Sequence, residues 1–283
     1  MTLMVEGLPT FALAEPLRRH CTVLDVDDRR DVGSVDLALV DEPSETLLRA
    51  IPSSVRTLCC VHKKGTIYSE AVRERCDGFI CMTEGTVDYQ AKYIAREKLI
   101  FARHGVDLQR FVPNANRLRA QDGRPHVLFY SRLDREESVM WQILEALLRA
   151  NVRLTMLGDG DAFWAISDRF GDRLTLINHI PCHSIHNFLH HFDIVVSAGR
   201  GVMEALASGL PALAAGFAYG GPVLPENIEQ HLEVNLTGFS MARPLASLTD
   251  DLHRVSALGP QTCRRIAEEC CSIETFLDKL AIT

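Results

Sequence analysis

Gly199-Arg200-Gly201, with Glu204 three residues further on, is the stretch of this chain whose residue types could do chemistry. Glycines let a backbone approach an anion closely, and the first amides of a helix carry a partial positive charge. Arg200 adds a cation with a two-pronged donor geometry. Glu204 would repel a phosphate, but its carboxylate can accept two hydroxyl hydrogen bonds of the kind a ribose offers. On local chemistry alone the plainer reading is that Glu204 caps its own helix and complements the macrodipole.

The elements that must position these residues are legible on either side. The apolar run Ile194-Val195-Val196 ends in Ser197 and the turn. A helix pattern follows, with Val202, Met203, Leu206 and Ala207 on its apolar side. Gly209 stands where a left-handed cap is wanted, Pro211 forbids continuation, and a second apolar run starts at Ala212. Strand, tight turn, helix and strand make the repeating unit of a parallel sheet with crossover helices.

The same alternation runs through the chain. Apolar runs at 2–5, 21–26, 35–40, 55–61, 78–82 and 98–101 predict strands, with helices near 10–20, from Ser44, at 68–75 and from a Thr83 cap to about 95. After a polar connection, 103–125, strands are predicted at 126–130, 152–157 and 174–177, with a helix over 139–149 and a His-rich one over 184–191. Gly220-Gly221-Pro222 reads as a loop, and 260–280 as helix broken near Cys271-Ser272. This is an α/β chain of 283 residues, long enough for two domains.

Composition narrows the function classes. At 47% hydrophobic and 24% charged the chain is ordinary for a soluble globular protein. A net charge of −7 gives no broad footprint for nucleic acid. No apolar run approaches the roughly 18–20 residues of a bilayer span, and the N-terminus lacks a signal-peptide core. Nine cysteines show neither C-x-x-C nor zinc-finger spacing, which predicts buried reduced thiols and a cytoplasmic protein, with peripheral membrane contact left open. His183, His186, His190 and His191 invite a metal reading. The first three share roughly one helical face, but no carboxylate or cysteine has matching spacing, so a solvated face is expected instead of zinc.

Several segments in order resemble one family. Glu204–Ala214, E-A-L-A-S-G-L-P-A-L-A, is similar to the E-A-x-A-x-G-x-P signature of nucleotide-sugar-dependent glycosyltransferases of the large retaining group that includes glycogen synthase and sucrose synthase. Cys76–Glu84, H-G-V-D-L-Q-R-F-V-P at 104–113, Y-S-R-L at 130–133, L-G-D-G-D at 157–161 and C-S-I-E-T-F at 271–276 resemble further segments of it in the same order.

The resemblance implies the GT-B fold, two Rossmann-like domains with parallel sheets facing across a cleft. It implies an N-terminal acceptor domain over 1–112, a linker over 113–125, and a nucleotide-sugar-binding domain over 126–271, with the last helix (about 272–283) completing the first domain. It implies a glycosyltransferase that moves a sugar from a nucleotide diphosphate, expected to be UDP, to a hydroxyl of a small-molecule, lipid or glycan acceptor, with retention. Its donor would meet Gly7, Arg132, Arg135, Gly158, Gly160, Gly199, Arg200, Gly201 and Glu204. Arg132 and His62 would serve the transfer itself, and no metal or other cofactor would be needed. A 2-epimerase of the same fold and an inactive sugar-nucleotide binder are the alternatives. Two positions depart from the family pattern: Glu137 stands where a lysine is usual, with Arg135 the nearest substitute, and Val196 where a first glutamate is usual.

Overall fold

The structure is a computed structural model. It describes residues 37–41, 43–62, 64–114, 123–133, 139–181, 184–239, 241 and 243–281, and the backbone of 2–5 and 22–25. Gly7, Arg135, Glu137, His183 and the helix expected near 10–20 lie outside the described residues. The chain divides into two compact units, Met1–Ala102 and Arg103–Thr283.

In the first unit β1 (Thr2–Val5) pairs in parallel with β2 (Thr22–Asp25). A second parallel sheet follows in simple order: β3 (Leu37–Asp41), β4 (Arg56–Val61), β5 (Gly78–Cys81) and β6 (Leu99–Phe101). Helices α1 (Glu45–Ala50), α2 (Glu70–Arg75) and α3 (Glu84–Gln90) connect them. Each begins where a hydroxyl can cap it: Ser44, Ser69 and Thr83 accept from the amides of Leu47, Val72 and Thr86. Strand residues Leu58, Cys59, Phe79, Ile80 and Cys81 are fully buried, which is why these strands read as unbroken apolar runs.

The second unit holds β7 (His126–Tyr130), α4 (Val139–Arg149), β8 (Arg153–Leu157), α5 (Phe163–Phe170), β9 (Thr175–Ile177), α6 (Ile185–Leu189), β10 (Ile194–Ser197), α7 (Arg200–Ala207), β11 (Ala212–Ala215), β12 (Tyr219–Pro222), α8 (Ile228–Glu233), α9 (Leu248–Ser256), α10 (Pro260–Cys270) and α11 (Ile273–Ala281). Its sheet runs β12-β11-β10-β7-β8-β9. All neighbours are parallel except β12, which lies antiparallel at the edge. Counted from β7 this is the doubly wound order 3-2-1-4-5-6, whose direction of winding reverses between β7 and β10.

Strand alternation splits the core into two layers. Val195 of β10 packs with Leu128, Ala212 and residues of α6, α7 and α10, while Ile194 and Val196 pack with Val127, Phe129 and residues of α4, α5 and α9. Val196, the position of the missing glutamate, is fully buried in the strand.

Three features differ from the expectation. Gly220-Gly221-Pro222 is not a loop but part of β12. Proline is tolerated there because β12 is an edge strand, and Gly221 takes a φ of 85° that its two neighbours' types would not announce. Helix α9 was not legible in its polar sequence, yet Leu248, Leu252 and Val255 bury one face. The polar segment from Arg103 is packed, not a free connection: Val106 and Phe111 are 3% and 5% exposed in the core of the second unit. Residues 103–112 and the last helix lie in the compact unit Arg103–Thr283. The helical break near Cys271 is borne out and has a cause. Val106 N–H donates to Cys271 O at 2.8 Å, and Ile273 N–H returns to Val106 O at 3.1 Å. Arg264 locks the same segment down, its guanidinium donating to the carbonyls of Leu108 and Ala207 at 3.0 Å each and to that of Phe111.

Candidate active site at the switch point of the second sheet

Open α/β sheets bind ligands beyond the carboxyl ends of their strands where the winding reverses. Here that place lies between the turns after β7 and β10, which are tied together because the Ser197 hydroxyl donates to Tyr130 O at 2.6 Å. Helix α7 then starts so close to this pair that a Cβ on Gly201 would stand 2.1 Å from Ser197 Oγ and 3.0 Å from the Tyr130 ring. Gly199 turns the chain into the helix with φ 54°, a conformation that costs L side chains energy. The site thus brings Arg132, at the end of β7, into the same sheet edge as Gly199, Arg200, Gly201 and Glu204.

Two of the three amides expected to meet an anion already donate within the protein, Gly199 to Leu236 O at 3.4 Å and Gly201 to Ala198 O at 3.2 Å. Arg200 is exposed, whereas Glu204 is only 6% exposed. The Arg200 Nε approaches Glu204 Oε1 at 3.3 Å, while Oε2 is buried with no hydrogen-bond partner among the described residues. Burial pushes the Glu204 carboxyl up to about 7, against the opposing pull of Arg200 and then Arg110. Arg110 was not singled out by sequence reasoning. It lies 94 positions from Glu204 and reaches the neighbourhood through the packed 103–114 segment, where its Nε also donates to His186 Nδ1 at 3.4 Å.

The loop after β8 is built for packing between strand ends. A Cβ on Gly158 would meet the Ser131 carbonyl oxygen at 1.8 Å, so the room left by this glycine is filled by the turn that carries Arg132. Gly160 follows with φ 133°. Leu133 N–H donates to Asp159 O at 2.7 Å, which locks the two turns together.

His62 belongs to the other unit, at the carboxyl end of β4. Its Nε2 stands 2.8 Å from Oδ1 of Asp41, the last residue of the neighbouring strand β3 and a partner that neither strand's own residues announce. The histidines at α6 are not gathered: His191 is exposed, half-buried His186 meets Arg110, and His190 Nε2 lies 3.1 Å from Val112 O with its Nδ1 3.4 Å from Asn114 Nδ2. His186 and His190 fasten 110–114 to the helix. Among the described residues no three His, Cys, Asp or Glu are grouped to hold a metal, and no helix is long and apolar enough to cross a membrane. The seven described cysteines are free thiols, five of them buried.

With parallel α/β sheets in both units, the second of them doubly wound, the chain has the GT-B fold, and glycosyltransferases are among its structural neighbours. The HepE protein of Anabaena, solved in complex with UDP-glucose, superposes with a TM-score of 0.64 at 14% identity, over 99% of this chain and 90% of that one. TarM superposes with a TM-score of 0.60 at 16% identity over 87% of this chain, which spans about half, 54%, of TarM. No family model matches the chain, and no curated protein matches it in sequence.

Proposed function

We propose that the chain is a glycosyltransferase that moves a hexosyl group from a UDP-sugar to a hydroxyl of a small-molecule, lipid or glycan acceptor in the cytoplasm, with retention and without a metal. The observation that carries the reading is the buried, unpartnered Oε2 of Glu204 at the switch point of the second sheet. Nearly all buried polar atoms in proteins find a partner, so an orphaned carboxylate oxygen calls for a donor from outside the chain. A ribose supplies two adjacent hydroxyls. HepE, with its bound UDP-glucose, supports the choice of nucleotide.

In this reading Glu204 holds the ribose, and the diphosphate lies toward the start of α7. Arg200 turns from Glu204 to the phosphates, since it is already exposed to solvent. Arg132 and the α7 dipole help stabilise the charge that develops on the leaving diphosphate, the work a divalent cation does elsewhere. Arg135, Gly158, Gly160 and Gly7 would complete the donor's surroundings. His62, held by Asp41, would orient the sugar.

Thermal unfolding in the presence of UDP, UDP-sugars and other nucleotide diphosphates tests this. Binding to the folded state at a hundredfold excess over Kd adds about 2.7 kcal/mol of apparent stability. We expect that gain with UDP-sugars and its loss in Glu204→Ala. No gain with any nucleotide, or an undiminished gain in the variant, removes the reading.

A further inference from the structure

A cavity of about 480 Å³ opens within the unit Met1–Ala102, between the loop that follows β3 and the loop that follows β4. Both loops leave the carboxyl edge of a parallel sheet, and the volume falls in the range of small-molecule sites. Its floor is firm. Tyr68 is 8% exposed and rests on Phe79 with ring centroids 5.4 Å apart, and Pro43 beside it is buried. The loop above is pinned from behind, where the Gln90 amide donates to Thr66 O at 2.9 Å.

The walls combine two kinds of surface. On one side stand Glu45, Thr66 and Ser69, with the Ser69 hydroxyl donating to Glu45 Oε1 at 3.2 Å. A carboxylate offers about four acceptor positions, so Glu45 can take further hydroxyl donors. On the other side Ile67 is left 62% exposed at the rim beside Tyr68. Among the described residues no lysine, arginine or histidine lines the cavity. Against Glu45 itself, Arg49 reaches Oε2 at 3.3 Å along α1.

This arrangement discriminates between ligand classes. A phosphate or carboxylate would face Glu45 with no cation among the described lining residues to offset the repulsion. An acyl chain would strip water from Glu45 and Thr66 and return no hydrogen bond. A sugar ring has both faces the cavity requires, hydroxyls along its edge and C–H groups across its plane. We propose that this cavity binds an uncharged sugar residue, with hydroxyls on Glu45 and the C–H face on Ile67 and Tyr68. That the bound sugar is the acceptor of transfer rests on the function proposed above; the binding site itself does not.

The test titrates the full chain with uncharged methyl hexosides, with oligosaccharides ending in the same hexoses, and with anionic phospholipid vesicles, in wild type, Glu45→Gln and Ile67→Ala. UDP is titrated in parallel. We expect saccharide binding in wild type, about tenfold weaker in Glu45→Gln and severalfold weaker in Ile67→Ala, with UDP affinity unchanged in both. Preference for the oligosaccharide identifies a glycan end as the ligand, and equal binding of the methyl hexoside identifies a free sugar; either supports the site. Saccharide affinity that is absent, or equal in all three proteins, overturns it, as does binding of vesicles alone. Saccharide binding without UDP binding supports the cavity and sinks the donor reading instead.

Discussion

The Nε of Arg200 lies 3.3 Å from Oε1 of Glu204, yet the Arg200 side chain is 71% exposed and that of Glu204 only 7%. One partner of the pair can swing into solvent or onto a ligand, and the other cannot. The carboxyl is therefore held between a cation that can leave and a wall that cannot hydrate it, and burial outweighs the attraction in setting its proton affinity.

Stability should fall with pH because of this group. Burial raises the Glu204 carboxyl from 4.5 to about 7, so between those values the folded chain binds a proton that the unfolded chain has released. The contribution is fully present below about 4.5 and is lost as pH rises through about 7. The shift corresponds to roughly 3 kcal/mol. Denaturant titrations of wild type and Glu204→Gln across this range should show a downward slope in the wild type that the variant lacks. A variant with the same slope as wild type would mean that Glu204 titrates normally.

Donor affinity should move in the opposite direction. Ribose hydroxyls bond best to the ionised carboxylate, so a carboxyl that is half protonated near pH 7 must lose its proton on binding. Affinity for a UDP-sugar, whose phosphates do not titrate here, is expected to rise about tenfold per pH unit below 7 and to flatten above it. Calorimetry in buffers of different ionisation heat would detect the released proton. A flat profile in the wild type would remove Glu204 from the ribose.

How much of this could be read in the sequence follows from where the determining contacts lie. The run Ile194–Val196, the turn and α7 are local, and their caps and apolar periodicity sit within 25 residues. The switch point is not local, because it depends on β10 pairing with β7 across 67 residues. Arg110 escaped for the same reason. Its segment looks polar, and only the insertion of Val106 and Phe111 into the second unit's core carries it toward Glu204. Asp41 and His62 each end a strand, but nothing in either run says that the two strands are neighbours. Gly158 is expected against the donor from the resemblance, but nothing in the sequence shows that the Ser131 carbonyl stands against it.

Gly201→Ala should damage the site more than its size suggests. The new methyl would fall 2.1 Å from Ser197 Oγ, whose hydroxyl is held by Tyr130 O, so relief requires breaking that bond or shifting the start of α7. Overpacking of this kind costs about 1–3 kcal/mol. Nucleotide binding should weaken by more than stability does, because the displaced turn carries Gly199 and Arg200. Gly65→Ala is the control, since a Cβ there meets nothing within 4 Å and its φ is not positive, and it should leave nucleotide binding intact. Equal nucleotide affinity in Gly201→Ala and wild type would show that the turn's position is not critical.

Arg264 holds the packed segment to α7, and its loss should loosen both. Its guanidinium is 18% exposed and donates to the carbonyls of Leu108, Phe111 and Ala207 while Nε binds Glu268 at 2.7 Å. In Arg264→Ala those partly buried carbonyls lose their donors, and the cost is expected at about 2–4 kcal/mol. Lysine has no planar fork and can satisfy at most part of the set, so Arg264→Lys should fall between alanine and wild type. Hydrogen exchange locates the effect: amides of Val106, Phe111 and Ser208 should lose protection in both variants, since their bonds lie in the elements Arg264 joins. The α3 amides, in the other unit, should exchange as in wild type. Uniform loss of protection over the whole chain would instead make Arg264 a general contributor to stability, not a clamp on this segment.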